Sequence, residues 1–153
     1  MSKHILVSSL IGIAVVGGIA AGGLAVASAS ASAPATPALE NSSVRYVAPS
    51  DGKAGSLTFT ADVSDDSGIR GLKVIAWPAS SKLDPTEAEL RHVDSAKCER
   101  TSDETSRCTY ALKVTKKEAA ELDQGTWHIS ALATAKDGNT TLVPRAASFD
   151  ITR

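Results

Sequence analysis

Several features that mark common functional classes are scarce in this chain. Its 153 residues include only 2 Trp, 2 Tyr and 2 Phe, too few to line the aromatic-rich groove that a glycoside-cleaving enzyme needs. The formal net charge is −1, so the chain lacks the basic stripe with which proteins displace counterions from a phosphate backbone. These absences exclude a nucleic-acid-binding protein and argue against a glycosidase.

Recognisable catalytic motifs are missing as well. Neither G-x-S-x-G nor H-E-x-x-H occurs in the sequence, and these are the spacings that serine hydrolases and zinc proteases require. His92 and His128 are the only histidines after residue 4. We interpret both as solvated strand residues and predict that the protein is not an enzyme and uses no cofactor.

A long apolar run, in contrast, is present at the N-terminus. Lys3 and the terminal amine precede an apolar stretch at 5–26, and overlapping Ala-x-Ala triplets fill residues 25–33. This pattern predicts a signal peptide at 1–33, cleaved between residues 27 and 33. Because about 20 apolar residues can span a bilayer, a retained membrane anchor is the alternative. A flexible tether at 34–42 and one domain at 43–153 should follow.

Only two cysteines, Cys98 and Cys108, are present. In an exported chain an even number of cysteines favours a disulfide, whereas C-x9-C is not the spacing of a redox or metal motif. The intervening residues 99–107 are all polar, which is typical of an exposed hairpin loop. We predict a structural disulfide that closes this loop.

Short alternating apolar runs dominate the rest of the chain. In the first, Leu57, Phe59, Ala61 and Val63 alternate with polar residues, which indicates a strand with one buried face. Inward positions of the fourth strand should include Tyr110, Leu112 and Val114. Turn signals separate the runs, and spacing of this kind favours a β-sandwich. The predicted strands are 57–63, 71–77, 92–98, 108–114, 127–135 and 142–151.

Two short helices are predicted between the strands. Asp84 is expected to cap a helix from Pro85 to Arg91, with Glu87 at the third helical position. Thr115 and Glu118 form a second capping box, and that helix should end near Gly125. We expect Leu90 and Leu122 to seal the open ends of the core.

Residues 123–129 read Asp-Gln-Gly-Thr-Trp-His-Ile and resemble the D-x-G-x-Y-x-C corner of immunoglobulin-type domains. Trp127 replaces the tyrosine and Ile129 the cysteine, so the usual disulfide between the sheets is absent. With its leader and alanine-rich composition, the chain resembles an uncharacterised family of small actinobacterial secreted proteins with an immunoglobulin-like domain. The resemblance implies an all-β, immunoglobulin-like antiparallel sandwich with two short connecting helices, and implies no activity.

The turns between the predicted strands contain residues that could form one metal site. In such a sandwich Asp65, Asp66, Asp137 and Asn139 should lie at the same end, where four oxygen side chains suit Ca²⁺. The competing interpretation is that Asp, Asn and Gly serve only the geometry of tight turns.

Together these patterns predict a secreted, monomeric binding or accessory module. Its partner would be an extracellular protein or a cell-wall component that contacts an exposed sheet face or a loop end, without nucleic acid and without a membrane after cleavage. The alternatives are an extracellular inhibitor that presents loop 98–108 to a secreted hydrolase, and a small secreted hydrolase.

Overall fold

The computed structural model describes residues 35–152, so the predicted leader at 1–33, its cleavage region and the alternative of a membrane anchor there lie outside the described residues. Within residues 35–152 no helix is both long enough and apolar enough to cross a membrane.

In the part of the chain that the structure describes, seven strands form two antiparallel sheets. The larger sheet has the order β1-β2-β5-β4 and the smaller one the order β3-β6-β7. Constant-type immunoglobulin domains divide their seven strands between two sheets in the same way, so the predicted all-β sandwich is confirmed. The strands are β1 Ala38–Val47, β2 Gly55–Ser64, β3 Ile69–Pro78, β4 Lys97–Arg100, β5 Thr105–Val114, β6 Gly125–Ala135 and β7 Thr140–Ile151.

The core lies between the two sheets. Every second residue of β2 is buried, and Phe59, Ala61 and Val63 have no exposed surface. The core residues that face them from the other sheet belong to β3 and β6. The alternation of apolar and polar residues in the sequence therefore indicates which face of β2 is buried. The core cluster consists of Leu57, Phe59, Ala61, Val63, Leu72, Val74, Cys108, Tyr110, Ile129, Ala131 and Ala133.

Strand β1 was not predicted, and it corrects the predicted boundary between tether and domain. The strand begins at Ala38, inside the stretch 34–42 that was expected to be a flexible tether. A bulge between Glu40 and Ser43 sets two residues, one of them Asn41 at φ 50°, against a single residue of β2. The bulge moves the inward positions from odd-numbered Leu39 to even-numbered residues, which hides the alternation from a sequence reading.

The predicted strand at 92–98 is displaced. Strand β4 covers Lys97–Arg100, and the preceding residues run along the edge of β3 in the other sheet. There the amide of Val74 donates to the carbonyl of Asp94 at 3.1 Å, and the amide of Ala96 donates to the carbonyl of Leu72 at 2.8 Å. The chain thus changes sheets within this segment, which the apolar pattern does not reveal.

Both short helices are present with different ends. Helix α1 covers Glu87–Leu90 and is capped by Thr86, which forms a capping box with Glu89. The predicted cap at Asp84 was therefore two residues too early. Helix α2 covers Lys116–Glu121, and its capping box of Thr115 and Glu118 is confirmed. It ends before Gly125 because Leu122 is already extended, at ψ 137°.

The outer face of the smaller sheet is covered by the β3–β4 connection. Trp77, Leu90 and Leu132 are 3 %, 0 % and 1 % exposed, yet all three lie outside the core cluster between the sheets. Trp77 Nε1 donates to Ser130 Oγ at 2.8 Å on this face. Leu90 thus seals an outer face and not an open end of the core. The outer face of the larger sheet, in contrast, is in contact with solvent.

Candidate functional site

A cavity of about 540 Å³ opens between the sheets at the end of the sandwich where β2 and β6 begin. We call it the interlayer pocket. Its lining combines inward side chains of both sheets with residues of α2 and of the β3–β4 connection. Its volume falls in the range typical of small-molecule sites. Its principal apolar and aromatic lining residues are Tyr46, Leu57, Val74, Tyr110, Leu112, Trp127, Phe149 and Ile151.

Aromatic rings form one wall of the interlayer pocket. The ring centroids of Tyr46 and Phe149 are 5.9 Å apart, and those of Trp127 and Phe149 are 6.2 Å apart, both pairs being stacked. Four of the six aromatic residues of the chain lie in the lining. Such rings supply rigid apolar contact area at little entropic cost.

Trp127 is held in place by the corner that the sequence predicted. Its Nε1 donates to the carbonyl of Asp123 at 2.9 Å, just as the tyrosine of an immunoglobulin corner bonds to backbone a few residues upstream. Gly125 adopts φ 109° in this turn, a conformation that side chains disfavour. The corner thus holds the indole through a hydrogen bond to its own backbone.

Polar groups are few and lie at the edge of the interlayer pocket. Tyr110 is 8 % exposed, and burial raises the pKa of its phenol, with the negative charge of Asp94 adding to the effect. Tyr110 therefore stays a neutral hydroxyl at physiological pH. Asp94, Lys113 and Glu118 complete the rim.

Leu112 corrects one sequence expectation and locates the mouth of the interlayer pocket. Its strand phase points inward, as predicted, but the residue is 39 % exposed. Leu112 lines the interlayer pocket, so part of its surface faces the unfilled space between the sheets. An inward phase thus does not ensure burial at the end of a strand.

The predicted metal residues meet at the opposite end of the sandwich. Asp65, Asp66 and Asp137 each place one carboxylate oxygen within 4.8 Å of the others. We call this group the acidic cluster. Asn139 faces it differently: its Nδ2 donates to Asp137 Oδ2 at 2.8 Å and to the carbonyl of Ala35 at 3.0 Å. Asn139 therefore supports the turn as a donor.

Residues 39–133 match a family of unknown function, DUF5707. The chain belongs to this family. No curated protein and no solved structure matches the chain. The matched DUF5707 region includes Asp65, Asp66, both cysteines and most of the interlayer pocket, and it ends before β7.

Cys98 and Cys108 of this DUF5707 chain form the predicted disulfide. They lie directly opposite each other on β4 and β5, and Cys108 is fully buried. The strands continue past the disulfide to Arg100 and from Thr105. The predicted nine-residue loop at 99–107 therefore reduces to a tight turn at 101–104.

His128 has a partner that the sequence did not indicate. Its Nδ1 lies 2.9 Å from Ser148 Oγ, and its ring contacts Trp77 edge-on at 4.8 Å. The distance suits a base and a nucleophile, but the two residues are direct cross-strand neighbours of β6 and β7, where such bonds are common. Within residues 35–152 no carboxylate is hydrogen-bonded to the other ring nitrogen. His92 follows α1 and is exposed.

Ser67 lowers the pKa of Asp65, one member of the acidic cluster, which gives a first test. Its hydroxyl donates to Asp65 Oδ1 at 2.6 Å and is the main cause of the lowered pKa of Asp65. We expect Ser67→Ala to raise the pKa of Asp65 towards its ordinary value, measured by NMR titration of the carboxyl carbon. Asp62, whose pKa is lowered mainly by Arg107, is the internal control and should not move.

The same bond has a consequence for stability. Because the folded-state pKa of Asp65 is depressed, its stabilising contribution is present above about pH 4 and is lost as the pH falls through the folded-state pKa. Ser67→Ala should therefore lose stability at neutral pH and lose less on acidification than the wild type. An unchanged pKa of Asp65 in this variant would contradict the assignment.

Proposed function

We propose that this protein is a secreted, non-catalytic binding module that takes up a small, neutral, apolar molecule in the interlayer pocket. The observation that carries the proposal is the pocket of about 540 Å³ with its wall of stacked aromatic rings. Binding sites for small molecules are typically concave and mostly apolar, with few polar groups that fix orientation.

The rim favours a neutral ligand that carries a hydrogen-bond acceptor. Asp94 and Glu118 place two carboxylates beside one ammonium group, that of Lys113, so an anionic ligand gains no net attraction. The Tyr110 hydroxyl is a donor, since its raised pKa keeps it protonated. A ring or short acyl chain bearing a carbonyl or ether oxygen fits this chemistry.

Export is part of the proposal and has independent support. The disulfide between Cys98 and Cys108 suits an oxidising compartment, and the sequence at 1–33 has the pattern of a signal peptide. We propose that the chain acts outside the cytoplasm as a monomer, in an actinobacterial host. An extracellular protein or cell-wall component would be the source from which the ligand is taken or to which it is delivered.

The proposal is tested with a neutral apolar dye, N-phenyl-1-naphthylamine, whose fluorescence rises on transfer from water to an apolar site. We expect the purified protein to bind the dye and Leu112→Trp to weaken binding at least about tenfold, or about 1.4 kcal/mol. The larger side chain at the mouth fills space that the ligand needs.

Leu83→Trp is the matched control. Leu83 is 42 % exposed, close to the 39 % of Leu112, but it lies in the connection before α1 and outside the pocket lining. Its substitution should leave dye binding unchanged. Absence of dye binding to the wild type, or equal loss in both variants, would overturn the proposal.

The inhibitor and hydrolase alternatives draw less support. The turn at 101–104 is short and closed by its own hydrogen bonds, with the amides of Thr101 and Ser102 both donating to the carbonyl of Thr105. It therefore offers little protruding chain to an active site. The pair of His128 and Ser148 lies outside the interlayer pocket.

A further inference from the structure

The acidic cluster concentrates negative charge that no cation of the described chain neutralises. Asp65, Asp66 and Asp137 bring carboxylate oxygens within 4.8 Å of one another. The ion pairs of residues 35–152 involve other carboxylates. Like charges this close repel, and a folded chain tolerates them at a cost.

One atom of the acidic cluster is both buried and without a partner. Asp65 is 6 % exposed. Its Oδ1 accepts from the amide and the hydroxyl of Ser67, at 2.9 and 2.6 Å, whereas its Oδ2 is buried and has no hydrogen-bond partner. A buried carboxylate oxygen left unpaired is costly, so such an atom needs an explanation beyond turn geometry.

Nearby cationic groups do not supply that explanation. Lys136 lies alongside Gly68, and the Arg70 guanidinium donates to the carbonyl of Lys136 at 2.9 Å. Neither makes an ion pair with the acidic cluster. The charge of the three carboxylates is therefore not neutralised by a cationic side chain of residues 35–152.

We propose that Asp65, Asp66 and Asp137 bind one Ca²⁺, with Asp65 Oδ2 as its innermost ligand. Oxygens within 4.8 Å of one another fit around an ion whose ligands lie about 2.3–2.6 Å away. Three carboxylates leave room for water to complete the six to eight ligands that Ca²⁺ takes.

Binding would join parts of both sheets. Asp65 and Asp66 follow β2 of the larger sheet, and Asp137 follows β6 of the smaller one. Asn139 connects the same turn to the carbonyl of Ala35, ahead of β1. The ion would therefore fasten the loop end to the start of the folded domain. This end is opposite the interlayer pocket, so the site is independent of the proposed function.

Thermal unfolding of the purified protein tests the proposal, first in chelator and then in millimolar CaCl₂. Since a ligand that binds only the folded state raises apparent stability, Ca²⁺ should raise the Tm of the wild type. Asp66→Asn removes a ligand and one repelling charge. We expect this variant to match or exceed the wild-type Tm in chelator and to fall below it in Ca²⁺.

Glu104→Gln is the control for simple charge effects. Glu104 is exposed at the same end, and its backbone carbonyl accepts from the amide of Asp65, so the variant loses one negative charge without losing a ligand. It should keep most of the Ca²⁺-dependent shift. Absence of a shift in the wild type, equal shifts in wild type and Asp66→Asn, or the same shift with NaCl at matched ionic strength would overturn the proposal.

Discussion

Replacing Phe59 with alanine should lower the free energy of unfolding by about 3–5 kcal/mol, the usual cost of emptying a buried aromatic site. Phe59 has no exposed surface and lies at the middle of β2. Its neighbours Val44 and Tyr110 belong to the paired strands on either side, so a relaxation of one strand cannot close the cavity. Urea unfolding followed by circular dichroism measures the loss.

Leu112→Ala is the informative comparison for Phe59→Ala. Both residues have the inward phase of the larger sheet, but Leu112 is 39 % exposed at the mouth of the interlayer pocket. Because less of its surface leaves water on folding, its truncation should cost under about 1 kcal/mol. Similar losses for the two variants would show that the interlayer pocket is closed in solution.

The second large effect is the loss of the disulfide. Replacing Cys98 and Cys108 together with alanine should cost about 2–3 kcal/mol, because the unfolded chain is no longer closed into a loop between residues separated by 10 positions. Cys108 is also fully buried, and the alanine there loses packing contacts. Urea unfolding with and without reductant measures the effect.

Reductant separates the two parts of this cost. Reductant should lower the free energy of unfolding of the wild type by most of the amount that separates it from the double alanine variant. It should leave the double alanine variant unchanged, since only the wild type has a bond to reduce. A wild type that is indifferent to reductant, together with free thiols found by alkylation of the native protein, would contradict a structural role for this disulfide.

Periodicity predicted the strands whose two faces differ in environment. In β2 and β5 alternate residues face the core and the solvent, so the period of two survives in the sequence. Strand β1 was not predicted, because its bulge shifts the inward positions from odd-numbered Leu39 to even-numbered Val44 and so interrupts the alternation. The cap at Thr115 was found because a capping box is a local interaction of adjacent residues.

The two candidate sites differ in how much of them could be predicted. The acidic cluster was foreseen because turns on successive strands of a sandwich fall at shared ends, which places Asp65 and Asp137 together. The interlayer pocket was not foreseen. Its apolar strand residues, such as Leu57, Tyr110 and Ile151, have inward phase, and the alternation of the sequence assigns such residues to a filled core.

The sequence by itself determined the two-sheet architecture, the cysteine pair and the second helix cap, since each depends on hydrophobic alternation or on residues close in the chain. Only the tertiary structure decided that the outer face of the smaller sheet is covered, that Asp65 Oδ2 is left without a partner and that the sandwich is open at one end. Those features depend on how well side chains from distant strands fill a shared volume, and no local pattern encodes that volume.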